Sequence, residues 1–224
     1  MSRKKQAMII GLGQFGRALA RTLASRGVEV LAIDQSEAAV ELVADVVDDC
    51  LVLDASIESA LVHLEPRRRD LCVCAIGSET RDSAIIVTAL LRQLGAPRVV
   101  ARANDDTTGR ILRLVGAHDV VNPERAFGER LATRLLYSGI IEEFPLGDDL
   151  VISEIRPPRV LVGRSLRELD LRRRARLSVV AIRREIEGRG RALMPTADER
   201  IAHDDILVVV APRDAVHRLL EVSE

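Results

Sequence analysis

Three glycines near the amino terminus have the spacing of a loop that holds the phosphates of a nucleotide. They lie in the GxGxxG segment Gly11-Leu12-Gly13-Gln14-Phe15-Gly16. In such a segment the first glycine permits a tight turn, the second lets a phosphate approach the backbone, and the third lets a helix pack closely on the sheet. The unpaired N–H groups of that helix then face the phosphate. Because the pattern is weak alone, it requires a strand before it and a helix after it.

Polar residues and glycines also follow later apolar runs. Asp34 ends the second run, about 20 residues after the first glycine, where an acidic side chain accepts hydrogen bonds from ribose hydroxyls and repels a 2′-phosphate. This position favours NAD or ATP over NADP. The alternative interpretation is that Asp34 and Asp54 only cap a loop or a helix. The full set predicted to bind a nucleotide is Gly11, Leu12, Gly13, Gln14, Phe15, Gly16, Asp34, Gln35, Asp54, Ala55, Ser56, Ile76, Gly77 and Arg102.

Two further charged features have two interpretations each. Asn122-Pro123-Glu124 is typical of a helix start, and Glu124 either complements the helix dipole or holds Mg²⁺ or another cation beside a bound phosphate. The basic run Arg172-Arg173-Arg174-Ala175-Arg176 is either a solvated surface or a pocket for an acidic ligand or a phosphate.

The elements that must position these residues follow from the hydrophobic pattern. Six short apolar runs alternate with amphipathic helical stretches, which predicts an α/β fold, a Rossmann-like doubly wound parallel sheet. The second run is almost continuously apolar, as in a strand buried on both faces. Ser36 and Ser56 are predicted to cap helices, and Gly27 to end one. The predicted strands are 7–11, 28–34, 50–54, 71–77, 98–102 and 118–121.

The remainder of the chain predicts a second, smaller domain. We expect a nucleotide-binding domain with its last helix at 1–137, a linker at 138–147 and an α+β domain at 148–224. In the second domain, Ser165 is predicted to cap a short helix and Asp214 a terminal one. The predicted strands there are 150–155, 178–184, 191–194 and 206–211. At this size the domain is too small for the substrate domain of a dehydrogenase.

The composition excludes several classes of protein. The formal net charge of −1 provides no overall attraction to nucleic acid or to an anionic membrane. The only lysines are Lys4 and Lys5, so a catalytic lysine within the body of the chain is excluded. Cys72 and Cys74, two apart in an apolar run, are interpreted as buried reduced thiols, which together with an odd cysteine count fits the cytoplasm. No apolar run approaches the roughly 18 residues that span a bilayer.

The order and spacing of these motifs resemble the RCK family (regulators of potassium conductance), and within it the KtrA/TrkA potassium-uptake subunits. The resemblance covers both domains. In the first it is carried by residues 10–16 and 30–34, by Asp54-Ala55-Ser56, by Ala75-Ile76-Gly77 and by Asn122-Pro123-Glu124. In the second it is carried by Val162-Gly163-Arg164-Ser165-Leu166, residues 169–172, Val180-Ala181-Ile182, Pro195 and residues 205–209.

The resemblance implies a cytoplasmic regulatory subunit, not an enzyme, that gates a KtrB/TrkH-like transmembrane potassium translocation subunit. It further implies ATP/ADP or NAD/NADH as ligand, homodimers formed through the helix after strand six, and a ring of dimers, usually an octamer. KtrA-like proteins often carry arginine at the position of Gln14, whereas TrkA-like proteins with glutamine are associated with NAD(H). Similar second domains bind cyclic di-AMP, for which Arg172 is the predicted phosphate contact, although Ala175-Arg176 replaces a Tyr-Gly pair of some relatives.

Two other functions stay open from the residues alone. An NAD-dependent oxidoreductase is the main rival, because Rossmann domains serve many activities. A Tyr/Lys dyad is excluded by the positions of the lysines, and the four histidines are scattered along the chain. The third possibility is a ligand-sensing module unconnected to transport. No class of nucleic-acid partner is expected.

Overall fold

A computed structural model describes residues 3–77, 80–186 and 189–221. The chain divides into two compact units, Met1–Ala126 and Phe127–Glu224. The division falls within α6, a helix that spans Pro123–Leu136. No helix in the described ranges has both the length and the hydrophobicity needed to cross a membrane.

The first unit is a parallel sheet with helices, as predicted for a doubly wound fold. Its strand order is β3-β2-β1-β4-β5-β6, so the order reverses between β1 and β4, where such sheets bind ligands beyond the carboxyl ends of their strands. The strands are β1 Gln6–Ile10, β2 Glu29–Asp34, β3 Asp49–Val52, β4 Leu71–Cys74, β5 Val99–Arg102 and β6 Asp119–Val121. The helices before α6 are α1 Gln14–Ser25, α2 Glu37–Glu41, α3 Glu58–Val62, α4 Arg81–Gln93 and α5 Asp106–Leu114.

Alternate residues of the central strands pack into different hydrophobic clusters. Met8 and Ile10 belong to one cluster with Cys72, whereas Ile9 belongs to another with Val73. Because successive side chains of a strand point to opposite faces, both faces of this sheet are covered. Cys72 is buried, as predicted, and burial raises the pKa of its thiol to about 12.

The helix ends are partly as predicted. Ser36 caps α2 by accepting a hydrogen bond from the backbone N–H of Ala39, and Gly27 follows α1 with a φ of 79°. The prediction for Ser56 was wrong, because α3 begins after Ile57. The Ser56 hydroxyl instead donates to Asp54 at 2.7 Å.

The second unit is an antiparallel sheet with order β10-β9-β11-β8-β7. Its strands are β7 Ile140–Pro145, β8 Leu150–Ile155, β9 Ser178–Ile186, β10 Arg189–Leu193 and β11 Ile206–Pro212. The helices are α7 Leu166–Leu169, α8 Leu171–Arg174 and α9 Arg213–Glu221. Ser165 caps α7, with Glu168 completing a capping box, whereas Asp214 lies inside the first turn of α9 and is not its cap.

The segment predicted as a linker, 138–147, contains β7. Its sequence, Ile140-Ile141-Glu142-Glu143-Phe144-Pro145, lacks the alternation of a half-buried strand. Pairing with β8 nevertheless buries Glu143, whose carboxylate accepts from Ser153 at 3.3 Å and lies 3.2 Å from Arg213. Because these partners compensate the buried charge, a glutamate can occupy a buried position of the strand, which its residue type alone does not predict.

Candidate functional site

The glycine loop between β1 and α1 has the geometry that a phosphate site requires. Gly11 has a φ of 94°, and a Cβ there would lie 2.8 Å from the backbone nitrogen of Ile76. A Cβ on Gly16 would lie 1.9 Å from the carbonyl oxygen of Gly11, so only glycine lets α1 approach the sheet this closely. By contrast, no atom lies within 4 Å of a Cβ built on Gly13. The middle glycine therefore faces free space above the N-terminus of α1.

Asp34, at the end of β2, connects this loop to the next one. One carboxylate oxygen accepts from the backbone N–H of Leu12 at 2.6 Å, and the other accepts from that of Ser36 at 2.9 Å. A carboxylate has about four lone-pair positions, so both oxygens keep acceptor capacity for further donors. Asp34 thus combines the loop contact, which was one interpretation of the sequence, with the capacity to bind ribose hydroxyls.

A cleft of about 430 Å³ lies along the carboxyl edge of the sheet. Ten predicted residues line it: Gly11, Gly13, Asp34, Gln35, Asp54, Ala55, Ser56, Ile76, Gly77 and Arg102. The other four predicted residues, Leu12, Gln14, Phe15 and Gly16, belong to the loop and the first turn of α1 but do not line the cleft. Binding by any of these residues stays a prediction.

Six lining residues were missed by the sequence interpretation: Ile10, Leu53, Ala75, Thr80, Ser83 and Val87. The first three stand at or just beyond strand ends, so the same positional signal that selected Asp34 was available for them. Thr80 and Ser83 lie at the start of α4 and Val87 lies in its middle, and none of the three follows a strand end that would mark it in the sequence.

Asp54 is held as a charged group. It accepts hydrogen bonds from the Ser56 hydroxyl and from the Ser56 backbone N–H, at 2.7 and 2.9 Å. These bonds, the hydroxyl first, lower the pKa of Asp54 below its ordinary value. The carboxylate is therefore ionised at neutral pH and can accept hydrogen bonds from a ligand.

Arg102, at the end of β5, is the cationic side chain of the cleft. Its side chain is only 14% exposed, and it forms an ion pair with Glu124 in the first turn of α6. The guanidinium carbon lies 5.9 Å from the centre of the Phe15 ring. Its buried Nε has no hydrogen-bond partner within the described part of the chain. Arg102 is thus placed to neutralise negative charge near the N-terminus of α1.

A smaller cleft of about 220 Å³ shares Ile76, Gly77 and Arg102 with the first one. It is also lined by Arg81 and Asp105, among others. The two clefts therefore adjoin at Ile76, Gly77 and Arg102.

Glu124 does not form a metal site with other protein groups. Across residues 3–77, 80–186 and 189–221, no three His, Cys, Asp or Glu side chains come together as metal ligands. The Glu124 carboxylate is already paired with a guanidinium. The residues present therefore do not fit a cation held by the protein alone, because a divalent ion needs several oxygen ligands.

Arg172 lies exposed on α8, in the second unit. It forms no hydrogen bond or ion pair with any described residue, and its neighbour Arg173 is 3.9 Å from Asp170. This placement fits the solvated-surface interpretation of the basic run. A phosphate contact by Arg172 stays a prediction.

Family models match both halves of the chain. A model of the TrkA-N domain matches residues 7–123, and a model of the TrkA-C domain matches residues 150–223. The first match contains the whole cleft, from the glycine loop to Arg102.

Two curated relatives are similar over nearly their full lengths. The chain is 32% identical to Ktr system potassium uptake protein C of Bacillus subtilis (strain 168), over 92% of each chain. It is 30% identical to Ktr system potassium uptake protein A of Vibrio alginolyticus, over 97% of each chain. Among solved structures, the GsuK channel bound to NAD matches with a TM-score of 0.65 and 18% identity, covering 99% of this chain and 39% of that chain. At this identity the match demonstrates a shared fold.

Proposed function

Because the chain belongs to the RCK family, with the TrkA-N and TrkA-C domains of the Ktr potassium uptake proteins, we propose that it is a nucleotide-sensing regulatory subunit of a membrane potassium transporter. One observation carries this proposal. The open backbone at Gly13 and the Asp34 carboxylate, which is bonded to Leu12, line a single cleft.

The ligand is an adenine nucleotide, either ATP/ADP or NAD/NADH. Its phosphates bind over Gly13 at the N-terminus of α1, where backbone N–H groups and the helix dipole favour an anion. Asp34 accepts from the ribose hydroxyls, and Arg102 neutralises phosphate charge. The GsuK channel that shares this fold is described as bound to NAD, and the second cleft beyond Arg102 supports a dinucleotide.

We further predict that a cation and cyclic di-AMP bind to this chain. Mg²⁺ or another cation at Glu124 needs phosphate oxygens as its other ligands, and it competes with Arg102 for the carboxylate. Cyclic di-AMP is predicted to contact Arg172 in the second unit. Calorimetry with each compound tests both.

Regulation requires that two conformational states bind the nucleotide with different affinities, because equal affinity shifts no equilibrium. The partner is a KtrB/TrkH-like translocation subunit, with this chain cytoplasmic at the inner face of the membrane. Homodimers form through α6 and assemble into a ring, which the family resemblance predicts to be an octamer. Phe127, Leu135 and Leu136 on α6 support a subunit contact, since they are 62%, 76% and 76% exposed.

The cleft supports binding better than catalysis. Its lining holds no histidine, lysine, cysteine or tyrosine among the described residues. These are the side chains that most often act as general acid, base or nucleophile next to a nicotinamide. We therefore propose that the chain has no hydride-transfer activity of its own.

Titration calorimetry of the purified chain with ATP, ADP, NAD, NADH and cyclic di-AMP tests the proposal. We expect at least one adenine nucleotide to bind with one site per chain. Potassium flux into vesicles that contain the translocation subunit must then change when this chain and that nucleotide are added together. A chain that binds none of the adenine nucleotides, or that reduces a carbonyl substrate with NADH, contradicts the proposal.

A further inference from the structure

A wide hollow with basic walls lies at the amino edge of the first sheet. It has a volume of about 740 Å³, and five basic side chains line it together with Glu29 and Asp70. We call these five side chains the amino-edge patch: Arg3, Lys4, Arg67, Arg68 and Arg69. Their concentration contrasts with the net charge of −1 of the whole chain.

The parallel fold assembles this patch from two distant segments. β1 begins at Gln6 and its neighbour β4 begins at Leu71, so the residues that precede the two strands meet at one edge. The guanidinium of Arg3 donates to the carbonyl oxygen of Arg68 at 3.1 Å. The turn Pro66–Arg68 that carries two of the arginines follows Glu65, which has a left-handed φ of 48°.

The carboxylates near the patch are engaged by other groups and by ion pairs with the patch itself, such as the pair of Asp70 with Arg3 at 3.5 Å. Asp70 accepts from the backbone N–H of Gln6 at 2.8 Å, and Glu29 accepts from the Gln6 side-chain amide at 2.8 Å. Glu65 pairs with Arg68 at 2.9 Å and with Arg67 at 3.7 Å, and the three side chains are 38%, 69% and 70% exposed, respectively. Exposed ion pairs are weak and exchange readily with other partners.

The basic groups, by contrast, are available. The side chains of Arg3, Arg67 and Arg68 are 67%, 70% and 69% exposed. Lys4 has no ion pair within the described ranges, and the buried Nε of Arg69 has no hydrogen-bond partner there. Because the ion pairs of Arg3, Arg67 and Arg68 are exposed and weak, the patch still presents an excess of positive charge outward.

The shape of the hollow indicates what kind of anion it fits. The core of a protein interface needs apolar or aromatic anchors, whereas Pro97 is the one apolar residue in this lining. A small enclosed anion needs donors that converge on one point, whereas these arginine side chains are spread and mostly exposed. Long cationic side chains around a wide, open hollow match a surface that carries many separate phosphates.

We propose that the amino-edge patch binds the headgroups of anionic phospholipids. The choice of a lipid surface rests on the proposed function, which brings the chain to a membrane through its transporter partner. The patch lies at the amino ends of the strands, and the nucleotide cleft lies at their carboxyl ends. Lipid binding therefore leaves the cleft accessible.

The expected affinity follows from the charges. Each lysine or arginine near an anionic surface strengthens binding about fivefold. Five basic side chains against two acidic ones predict binding to anionic vesicles about 100-fold tighter than to neutral vesicles. Because the Debye length falls from about 10 Å at 0.1 M salt to about 3 Å at 1 M, most of this difference disappears at high salt.

Co-sedimentation of the full chain with vesicles tests the proposal. Vesicles of phosphatidylcholine alone are compared with vesicles that also contain phosphatidylglycerol. The variant Arg67→Gln/Arg68→Gln is expected to bind the anionic vesicles about 25-fold more weakly. The matched control is Arg173→Gln/Arg174→Gln, which removes the same charge from another exposed arginine run and is expected to change binding less than about twofold. Unchanged urea unfolding of both variants verifies that they fold.

Three results overturn the proposal. The first is an equal loss in both double variants, which indicates attraction without a defined patch. The second is the absence of any preference for anionic vesicles. The third is full competition by inorganic pyrophosphate or by a short DNA duplex at matched salt, which indicates a site for free phosphates or for polyanions in general. A chain that binds anionic vesicles through Arg67 and Arg68 but binds no nucleotide contradicts the proposed function and leaves the lipid surface standing.

Discussion

Replacing Asp34 with asparagine removes an ionised acceptor that serves the protein and the proposed ligand together. The carboxylate accepts from Leu12 at 2.6 Å and from Ser36 at 2.9 Å. An asparagine side chain has one oxygen and turns an NH₂ group toward one of these two N–H donors. Hydrogen bonds to charged groups contribute about 1.5–3 kcal/mol, so we expect the free energy of unfolding to fall by about 1–3 kcal/mol.

The same substitution is expected to change which dinucleotide binds. Loss of a charged acceptor for the ribose hydroxyls weakens NAD by about 10- to 150-fold, the equivalent of about 1.5–3 kcal/mol. NADP loses less, because its 2′-phosphate is no longer repelled by a carboxylate. The ratio of NADP affinity to NAD affinity therefore rises, by about tenfold or more.

Calorimetry with NAD and NADP measures this ratio, and urea unfolding measures the stability. The matched control is Asp48→Asn, because Asp48 also accepts a backbone N–H of β2, that of Val30 at 2.9 Å, and it does not line the cleft. The control is expected to lose stability without a change in the ratio. If Asp34→Asn leaves the ratio as in the unsubstituted chain while nucleotide still binds, Asp34 does not contact the ribose and the assignment of its role is wrong.

Three further predictions concern the loop, a buried thiol and a helix cap. Gly16→Ala places a Cβ 1.9 Å from a carbonyl oxygen, so we expect urea unfolding to show that the free energy of unfolding falls by about 3 kcal/mol or more. The Cβ of Gly13→Ala meets no atom within 4 Å, so this variant is expected to keep its stability and to lose nucleotide affinity. Cys72, whose pKa burial raises to about 12, is expected to react with a thiol reagent at pH 8 only in the unfolded chain, and rapid labelling of the native chain at this residue contradicts its burial. Hydrogen bonds from Thr108, first from its hydroxyl and then from its backbone N–H, lower the pKa of Asp105. This helix cap therefore stabilises the fold above the unfolded pKa of about 3.9, and the stabilisation is lost as the pH falls through the folded pKa. Thr108→Val is expected to move the pKa of Asp105, measured by NMR, back toward its ordinary value.

The sequence alone determined the fold of the first unit and most of the residues that line its cleft. Gly11, Asp34, Gly77 and Arg102 could be assigned to one site because each stands at or just after the end of a strand. In a parallel sheet all those ends meet at one edge, so a position in the sequence translates directly into a position in the site. The local signal at Ser36 was sufficient for the same reason, since a cap contacts residues within its own turn.

Only the tertiary structure decided which side chains become partners. Glu124 pairs with Arg102 across 22 residues, and the amino-edge patch brings Arg3 to Arg68 across 65 residues. The strand at Ile140–Pro145 likewise depends on β8 and on the groups that compensate Glu143. Such pairings depend on distances between elements that are remote in the sequence, and hydrophobic periodicity and capping residues describe only neighbours along the chain.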